Sequence, residues 1–205
     1  MGRHVDPACK LCRREKKKLF LKGEKCYSPK CPVEKRPYAP GQHGKMQAKL
    51  SEYAIRLREK QQARRIYGLQ EGQFEKEFDK ATVEKGVTGE KLVELLERRL
   101  DNVVFRFGFA ASRPEGRQTV RHGHVSVNGR RVNIPSYQVR VGDKITAQVR
   151  EARLKELQEQ SKDRIIPAWL EVTSESGEGM IKALPTRAEV GAPFSDQLIV
   201  EYYSR

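Results

Sequence analysis

The chain has 205 residues, of which 41 are lysine or arginine and 27 are aspartate or glutamate, a formal net charge of +14. It contains no apolar run long enough to cross a membrane, and no apolar stretch near its first residue of the kind that directs secretion. We therefore expect a cytoplasmic protein of one large or two small domains, with no membrane partner and with an anionic polymer as its ligand.

The excess positive charge lies mainly at the N-terminal end. Residues 1–50 hold 14 basic and 4 acidic residues, a net of +10, whereas residues 151–205 hold 7 basic and 10 acidic residues, a net of −3. A requirement for solubility alone would not concentrate the charge in this way. The asymmetry indicates a basic end that contacts a polyanion.

All four cysteines lie between residues 9 and 31. Two residues separate Cys9 from Cys12, and four separate Cys26 from Cys31. Such paired short spacings let four thiolates bind one metal ion, and a reducing cytoplasm disfavours disulfides. We predict one structural Zn²⁺ bound by the four cysteines, because four protein ligands leave no open position for catalysis. An iron–sulfur cluster and four unligated cysteines are the alternatives, since thiolates alone do not distinguish zinc from iron.

Residues 34–49, EKRPYAPGQHGKMQAK, are predicted to form an extended arm. Pro37 and Pro40 favour extended backbone, and no apolar periodicity could build a core here; a disordered linker is the alternative. Because a metal would fold the knuckle by itself, removal of residues 1–45 is expected to leave the rest of the chain folded. The RNA contacts predicted for the knuckle and arm are Arg3, Lys10, Arg13, Arg14, Lys22, Arg36, Tyr38 and His43.

Helical patterns dominate residues 46–97. Ser51 is predicted to begin a helix over residues 52–67. The side chains expected to face a core are Tyr53, Ala54, Leu57, Phe74, Phe78, Ala81, Leu92, Val93, Leu95, Leu96, Leu100 and Val103. The basic residues of the first helix are predicted to contact RNA, namely Arg56, Arg58, Lys60, Arg64 and Arg65.

Near residue 112 the pattern changes to a short helix and a small antiparallel sheet. Ser112 and Glu115 have the spacing of a capping box, and Gly123 can end the helix that they begin. Asn128 opens an Asn-Gly pair, which is typical of a type I′ turn between two strands, and a third strand is predicted over residues 144–149.

Three arginines of this helix share one face, because Arg113, Arg117 and Arg121 are spaced by four residues. We predict that the face is exposed and binds an anion, so that replacing Arg117 and Arg121 by alanine would leave the stability almost unchanged. A solvated charged face is the alternative. The hairpin is predicted to add further RNA contacts at His122, His124, Asn128, Arg130 and Arg131.

The C-terminal part is acidic and less regular. Its predicted elements are a weakly amphipathic helix that includes Leu154 and Leu157, strands at 169–172 and 180–184, a short helix capped by Thr186 and Glu189, and a final strand at 198–202.

Three parts of the chain carry a family resemblance. Residues 99–143, RLDNVVFRFGFAASRPEGRQTVRHGHVSVNGRRVNIPSYQVRVGD, resemble the RNA-binding module named after the fourth protein of the small ribosomal subunit. The beginning, MGRHVDPACKLCRRE, and the end, LIVEYYSR, resemble the two ends of that protein in its zinc-containing bacterial form. The chain is thus identified as a member of the bacterial small-subunit ribosomal protein four family, zinc-knuckle form.

The resemblance implies an α+β fold in which the RNA-binding module is inserted into a helical domain. One departure from the family is Pro-Glu-Gly at residues 114–116, where relatives usually carry Gln-Ala, and glycine should cost the helix about 1 kcal/mol relative to alanine. The expected divisions are a zinc knuckle and extended basic arm at 1–45, a mostly helical domain at 46–97 plus 186–205, and the helix-on-sheet module with the following α/β segment at 98–185.

The resemblance also implies a structural ribosomal protein that is not an enzyme. Members of the family are primary binders of small-subunit (16S) ribosomal RNA; they nucleate assembly of the subunit body and contribute to translational accuracy. The expected partners are this RNA, neighbouring small-subunit proteins including proteins five and twelve, and, as in some members, the protein's own messenger RNA, which it would repress. The protein is expected to be a monomer outside the ribosome.

An RNA-modifying enzyme and a free-standing RNA chaperone are the competing functions, because the same module also occurs in pseudouridine synthases and tyrosyl-tRNA synthetases. An enzyme needs a converging acid, base or nucleophile, and the pattern contains none. Asp101 is the only acid between Arg98 and Pro114 and is expected to pair with an arginine or to cap a helix. A chaperone would not need the zinc knuckle or the matching ends, so the ribosomal function is favoured.

Overall fold

The computed structural model describes residues 7–46, 49–148, 156–157, 166–173 and 177–204. The chain forms two compact units: residues 1–92 with 192–205, and residues 93–191, so that the second unit is inserted into the first. The basic N-terminal segment belongs to the first unit and does not form a separate one. No helix in the described parts of the chain is long and apolar enough to cross a membrane.

The elements follow one another in an α+β order. The helices are α1 (Ala8–Glu15), α2 (Pro32–Lys35), α3 (Glu52–Ile66), α4 (Glu71–Val83), α5 (Thr88–Glu97), α6 (Leu100–Arg106), α7 (Arg113–Arg121), α8 (Arg187–Val190) and α9 (Asp196–Tyr203). The strands are β1 (Val125–Val127), β2 (Arg130–Arg131), β3 (Lys144–Ala147), β4 (Leu170–Thr173) and β5 (Glu178–Ile181).

A buried carboxylate attaches α1 to α3. An oxygen of Glu15 accepts a hydrogen bond from Nη1 of Arg58 at 3.2 Å and another from Nη1 of Arg65. Burial raises the pKa of Glu15, and the two guanidinium groups oppose that rise. The knuckle segment therefore contacts α3 of the first unit, and the expectation that the rest of the chain folds without residues 1–45 stays a prediction.

The helix α3 begins as predicted, since the hydroxyl of Ser51 accepts a hydrogen bond from the Ala54 N–H at 3.3 Å. The predicted core face is wrong at Tyr53, which is 54% exposed. Its ring is tilted against that of Tyr202 instead, with ring centroids 5.7 Å apart. The buried side chains of α3 are Lys60, Gln62, Ala63 and Ile66.

The apolar stripes predicted for α4 and α5 are confirmed. The spacing of three and four residues places them on one face of each helix. Their buried members are Phe74, Phe78, Ala81, Leu92, Val93, Leu95 and Leu96.

The strand predicted over residues 198–202 is wrong, because this segment lies in the helix α9. The hydroxyl of Ser195 accepts a hydrogen bond from the Leu198 N–H at 3.5 Å and so caps the helix. The helix packs against α3 and buries Ile199 completely. An alternating apolar pattern over five residues was therefore not sufficient evidence for a strand.

The second unit contains an antiparallel sheet in which the described strands have the order β2-β1-β3-β5-β4. The predicted hairpin is confirmed, since Asn128 and Gly129 have φ values of 50° and 76°, as a type I′ turn requires. Strands at 169–172 and 180–184 were predicted close to β4 and β5. The core of the unit consists of Leu100, Val103, Val104, Phe107, Phe109, Ala110, Val120, Val125, Val127, Val139, Ile145, Ala147, Trp169, Leu170 and Ile181.

The remaining C-terminal predictions have different outcomes. The capping box of α8 is confirmed, because Thr186 and Glu189 each accept a hydrogen bond from the other's backbone N–H. Leu157 is buried in a short helical stretch, whereas Leu154 lies outside the described residues.

The contact of Glu15 with α3 gives a test of how the N-terminal segment is attached. We expect Glu15→Gln to lower the free energy of unfolding by about 2–3 kcal/mol, because it leaves two partly buried guanidinium groups without their anion. The control is Glu34→Gln. Glu34 pairs with Lys18 but is far more exposed than Glu15, so the substitution should lower the free energy of unfolding by less than about 1 kcal/mol. Urea unfolding measures both changes, and equal losses would contradict the anchoring role of Glu15.

Candidate nucleic-acid interface and metal centre

A buried carboxylate holds α7 against α6. Asp101 accepts two hydrogen bonds from Arg99, at 3.1 and 2.9 Å, and one from Nη1 of Arg117 at 3.2 Å. All three side chains are buried, and Arg117 is only 5% exposed. The helices approach closely at this point, since a Cβ atom on Gly116 would lie 2.7 Å from the carbonyl oxygen of Asp101.

A second buried carboxylate, Glu97, lies beside the first turn of α7, where Arg113 approaches it to 3.9 Å. Both of its oxygens accept hydrogen bonds from Arg106 at 2.9 Å, and Asn102 donates another at 2.8 Å. Arg113 donates from Nε to the Asn102 side-chain oxygen at 2.7 Å, and its guanidinium lies 4.7 Å from the centre of the Phe105 ring. The side chain of Arg113 is therefore used within the protein.

The predicted exposed face of α7 is thus wrong for two of its three arginines. The anions opposite Arg113 and Arg117 belong to the chain itself, and of the three only Arg121 is exposed. Burial lowers the pKa of Arg117, although the carboxylate of Asp101 opposes this. Nε and Nη2 of Arg117 are buried without a hydrogen-bond partner among the described residues.

The predicted capping box of α7 is also wrong. Ser112 occupies the N-cap position but makes no side-chain capping hydrogen bond. Glu115 accepts a hydrogen bond from the Ala111 N–H at 2.7 Å, one residue before the position that a capping box uses. The bounds of the helix nevertheless agree with the prediction, and Gly123 follows it with a φ of 71°.

An outward basic set lies where α7 meets the hairpin. It consists of exposed residues that were all predicted to contact RNA, namely Arg121, His122, His124, Arg130 and Arg131. The exposed Lys144 on β3 was missed, because its position beside the turn depends on strand pairing.

Asn128 has a different role from the one predicted. Its side-chain amide donates to Asp143 at 2.8 Å, and its side-chain oxygen accepts from the Lys144 N–H at 2.9 Å. These bonds fix the turn between β1 and β2, so the amide is engaged within the protein.

The basic residues of α3 are likewise paired with acids of the first unit. Arg56 donates to Glu201 at 2.7 Å, and Lys60 donates to Glu71 at 2.5 Å. Lys60 is only 4% exposed, which contradicts its predicted role in RNA binding. The remaining pairs are Arg56 with Glu52, Arg58 and Arg65 with Glu15, and Arg64 with Glu71.

The predicted contacts of the N-terminal segment are mostly exposed. Arg13 donates to the Tyr38 carbonyl at 3.1 Å, and its guanidinium lies 5.0 Å from the centre of the Tyr38 ring. Lys45 lies 5.5 Å from the same ring, so two cations already contact the predicted stacking residue. Arg3 lies outside the described residues. The exposed members are Lys10, Arg14, Lys22, Arg36 and His43.

The four cysteines are free thiols that line one cavity. The Lys22 N–H donates to the sulfur of Cys26 at 3.3 Å, a contact that would stabilise a thiolate. Burial raises the pKa of Cys12 and of Cys26, and the neighbouring thiols contribute to the rise.

The four predicted ligands line the same cavity, but their side chains are not arranged as in a formed metal site. Within the residues described, no three side chains of cysteine, histidine, aspartate or glutamate have an arrangement that could hold a metal ion. The chemistry of four thiols fits Zn²⁺, and the zinc centre stays a prediction.

Comparison with known proteins identifies the family. The model of the ribosomal protein S4/S9 N-terminal domain matches residues 3–97, and the S4 domain matches residues 98–145. Over their full lengths, the chain is 56% identical to small ribosomal subunit protein uS4 of Pelotomaculum thermopropionicum and 58% identical to uS4A of Symbiobacterium thermophilum. It is 53% identical to uS4 of Thermus thermophilus, again over both whole chains.

The chain belongs to the small ribosomal subunit protein uS4 family. This is a family of structural ribosomal proteins and not of enzymes. The predicted ribosomal protein family and the predicted RNA-binding module are confirmed, whereas the zinc-knuckle form stays a prediction.

The inward and outward arginines of α7 can be distinguished by substitution. We expect Arg117→Ala to lower the free energy of unfolding by about 1–3 kcal/mol, because it removes a buried partner of Asp101. Arg121→Ala should change the free energy of unfolding by less than about 0.5 kcal/mol. It should also make the decrease of log K for RNA with log salt less steep, by about 0.7–0.9 in the slope. Urea unfolding and a salt series of RNA binding measure these effects. The reverse pattern, with Arg117 setting the salt slope, would contradict the assignment.

Proposed function

We propose that this uS4 chain binds small-subunit (16S) ribosomal RNA as a structural protein of the cytoplasmic small ribosomal subunit. The observation that carries the proposal is the outward basic set on a module of the S4 type. In the part of the chain that the structure describes, no buried carboxylate binds Arg121, Arg130 or Arg131, whereas Asp101 and Glu97 bind Arg99, Arg106 and Arg117.

Recognition on this surface relies on the RNA backbone. Arginine and lysine neutralise phosphates and release counterions, which makes the affinity depend on salt. The deep, narrow major groove of an A-form helix excludes side chains, so the protein reads the shape of the RNA and its exposed strands. The exposed imidazoles of His122 and His124, with ring centroids 6.1 Å apart, can donate to phosphates or stack on bases.

Further parts of the function rest on the family resemblance. We infer that the chain nucleates assembly of the subunit body, contributes to translational accuracy, and contacts small-subunit proteins five and twelve. Repression of its own message would use the same basic surface, because an RNA that offers a similar array of phosphates competes for it.

The proposed surface is tested by removing its charge. We expect the triple variant Arg121→Ala, Arg130→Ala, Arg131→Ala to lower the salt slope for binding to a 16S ribosomal RNA transcript by about 2–3, since each lost phosphate contact removes about 0.7–0.9. The control replaces three exposed lysines of the first unit, Lys76, Lys80 and Lys85, by alanine and so removes the same charge. If the control lowers the slope equally, binding follows net charge and the proposed surface is wrong.

We also propose that Cys9, Cys12, Cys26 and Cys31 hold one structural Zn²⁺. The paired spacings, the free thiols and their shared cavity support this ligand set. When bound, the ion would cross-link a segment that has few buried apolar groups of its own.

Metal analysis tests the zinc proposal. The purified chain should contain about one zinc per molecule, and Cys12→Ser should release it. Hydrogen exchange should then accelerate in α1 and α2, while the amides of α6 and β1 keep their protection. A chain that lacks zinc, or that contains iron with visible absorption, would contradict the proposal.

A further inference from the structure

The guanidinium of Arg131 occupies the place of a missing side chain. Gly123 is buried directly after α7, and a Cβ atom built on it would lie 2.1 Å from Nε and 2.3 Å from Nη2 of Arg131. Nη2 of Arg131 also donates a hydrogen bond to the His122 carbonyl at 3.0 Å. Only glycine at residue 123 therefore lets the guanidinium lie in this position.

In this placement one hydrogen bond orients the Arg131 guanidinium, and the residue remains accessible. The residue is exposed, and within the described residues its guanidinium makes one hydrogen bond, to the His122 carbonyl. Nη1 is thus left for a ligand. A long side chain that is already oriented loses less conformational entropy on binding, and a planar guanidinium matches the geometry of a phosphate.

A purely structural role is the competing explanation. A cation at a helix C-terminus stabilises the helix by bonding to its last carbonyl groups, and His122 is the C-cap of α7. That role needs only the bond to the carbonyl. It does not need a guanidinium that remains exposed among Arg121, Arg130 and two imidazoles.

We propose that Gly123 and the His122 carbonyl form a seat that orients the Arg131 guanidinium to bind a phosphate of the RNA backbone. This inference rests on the proposed function, and it adds that Gly123 acts as a positioning residue. The ligand class is a single backbone phosphate, so the contact carries no base specificity.

The chain contains a matched control for Gly123. Gly129 has a φ of 76°, close to the 71° of Gly123, but a Cβ atom built on it meets nothing within 4 Å. Alanine should therefore introduce similar backbone strain at both positions, and only at residue 123 should it displace a guanidinium.

The experiment measures binding of the full-length chain to a 16S ribosomal RNA transcript over a salt series, with urea unfolding of each variant. We expect Arg131→Ala and Gly123→Ala each to weaken binding by about sixfold at 0.1 M salt, the effect of one lost phosphate contact. Gly129→Ala should bind as the wild type does. Arg131→Lys, which keeps the charge but cannot fill the seat, should still weaken binding by about threefold.

The double variant Gly123→Ala, Arg131→Ala should bind no more weakly than Arg131→Ala, because the glycine acts only through the arginine. If Gly123→Ala does not fold, the comparison of Arg131→Lys with the wild type still tests the seat. Wild-type affinity for Arg131→Lys, or equal losses for Gly123→Ala and Gly129→Ala, would overturn the proposal. Failure of the proposed function is distinguishable, since the wild-type chain itself would then not bind the transcript.

Discussion

The second unit depends on two carboxylates that are buried among arginines. Asp101 binds Arg99 and Arg117, while Glu97 binds Arg106 and lies near Arg113. A buried carboxylate without a cation would be strongly destabilising, so these arginines are required inside. Because these arginines are bound to carboxylates inside the protein, they are not available to a ligand. The exposed cations that remain available are those of the outward basic set.

The first unit follows the same rule with different residues. Glu15, Glu71 and Glu201 engage the basic residues of α3, and one of these contacts anchors α1. The count of 41 lysine and arginine residues therefore overstates the basic surface that can meet RNA. We therefore expect the electrostatic contribution to RNA binding to come from the exposed N-terminal cations and from the outward basic set.

Most features that depend on neighbours along the chain were predictable, the exception being the capping box expected at Ser112. The cap at Ser51, the type I′ turn at Asn128 and the capping box at Thr186 each involve residues only a few positions apart. Features that depend on tertiary contacts were not: the exposure of Arg117 depends on Asp101, and the helical state of residues 198–202 depends on packing against α3. Periodicity identifies a charged face, but it does not say whether the matching anion comes from a ligand or from the protein.

The structure divides the arginines of the second unit into a buried or partly buried set and an exposed set, and chemical modification distinguishes the two. An arginine-selective dicarbonyl reagent is applied to the full-length chain, free and bound to 16S ribosomal RNA, and the modified residues are identified by mass spectrometry. We expect Arg121, Arg130 and Arg131 to react in the free chain and to be protected by RNA, whereas Arg99, Arg113 and Arg117 should be unreactive in both states. Ready modification of Arg117 in the free chain, with protection by RNA and none at Arg131, would contradict the account.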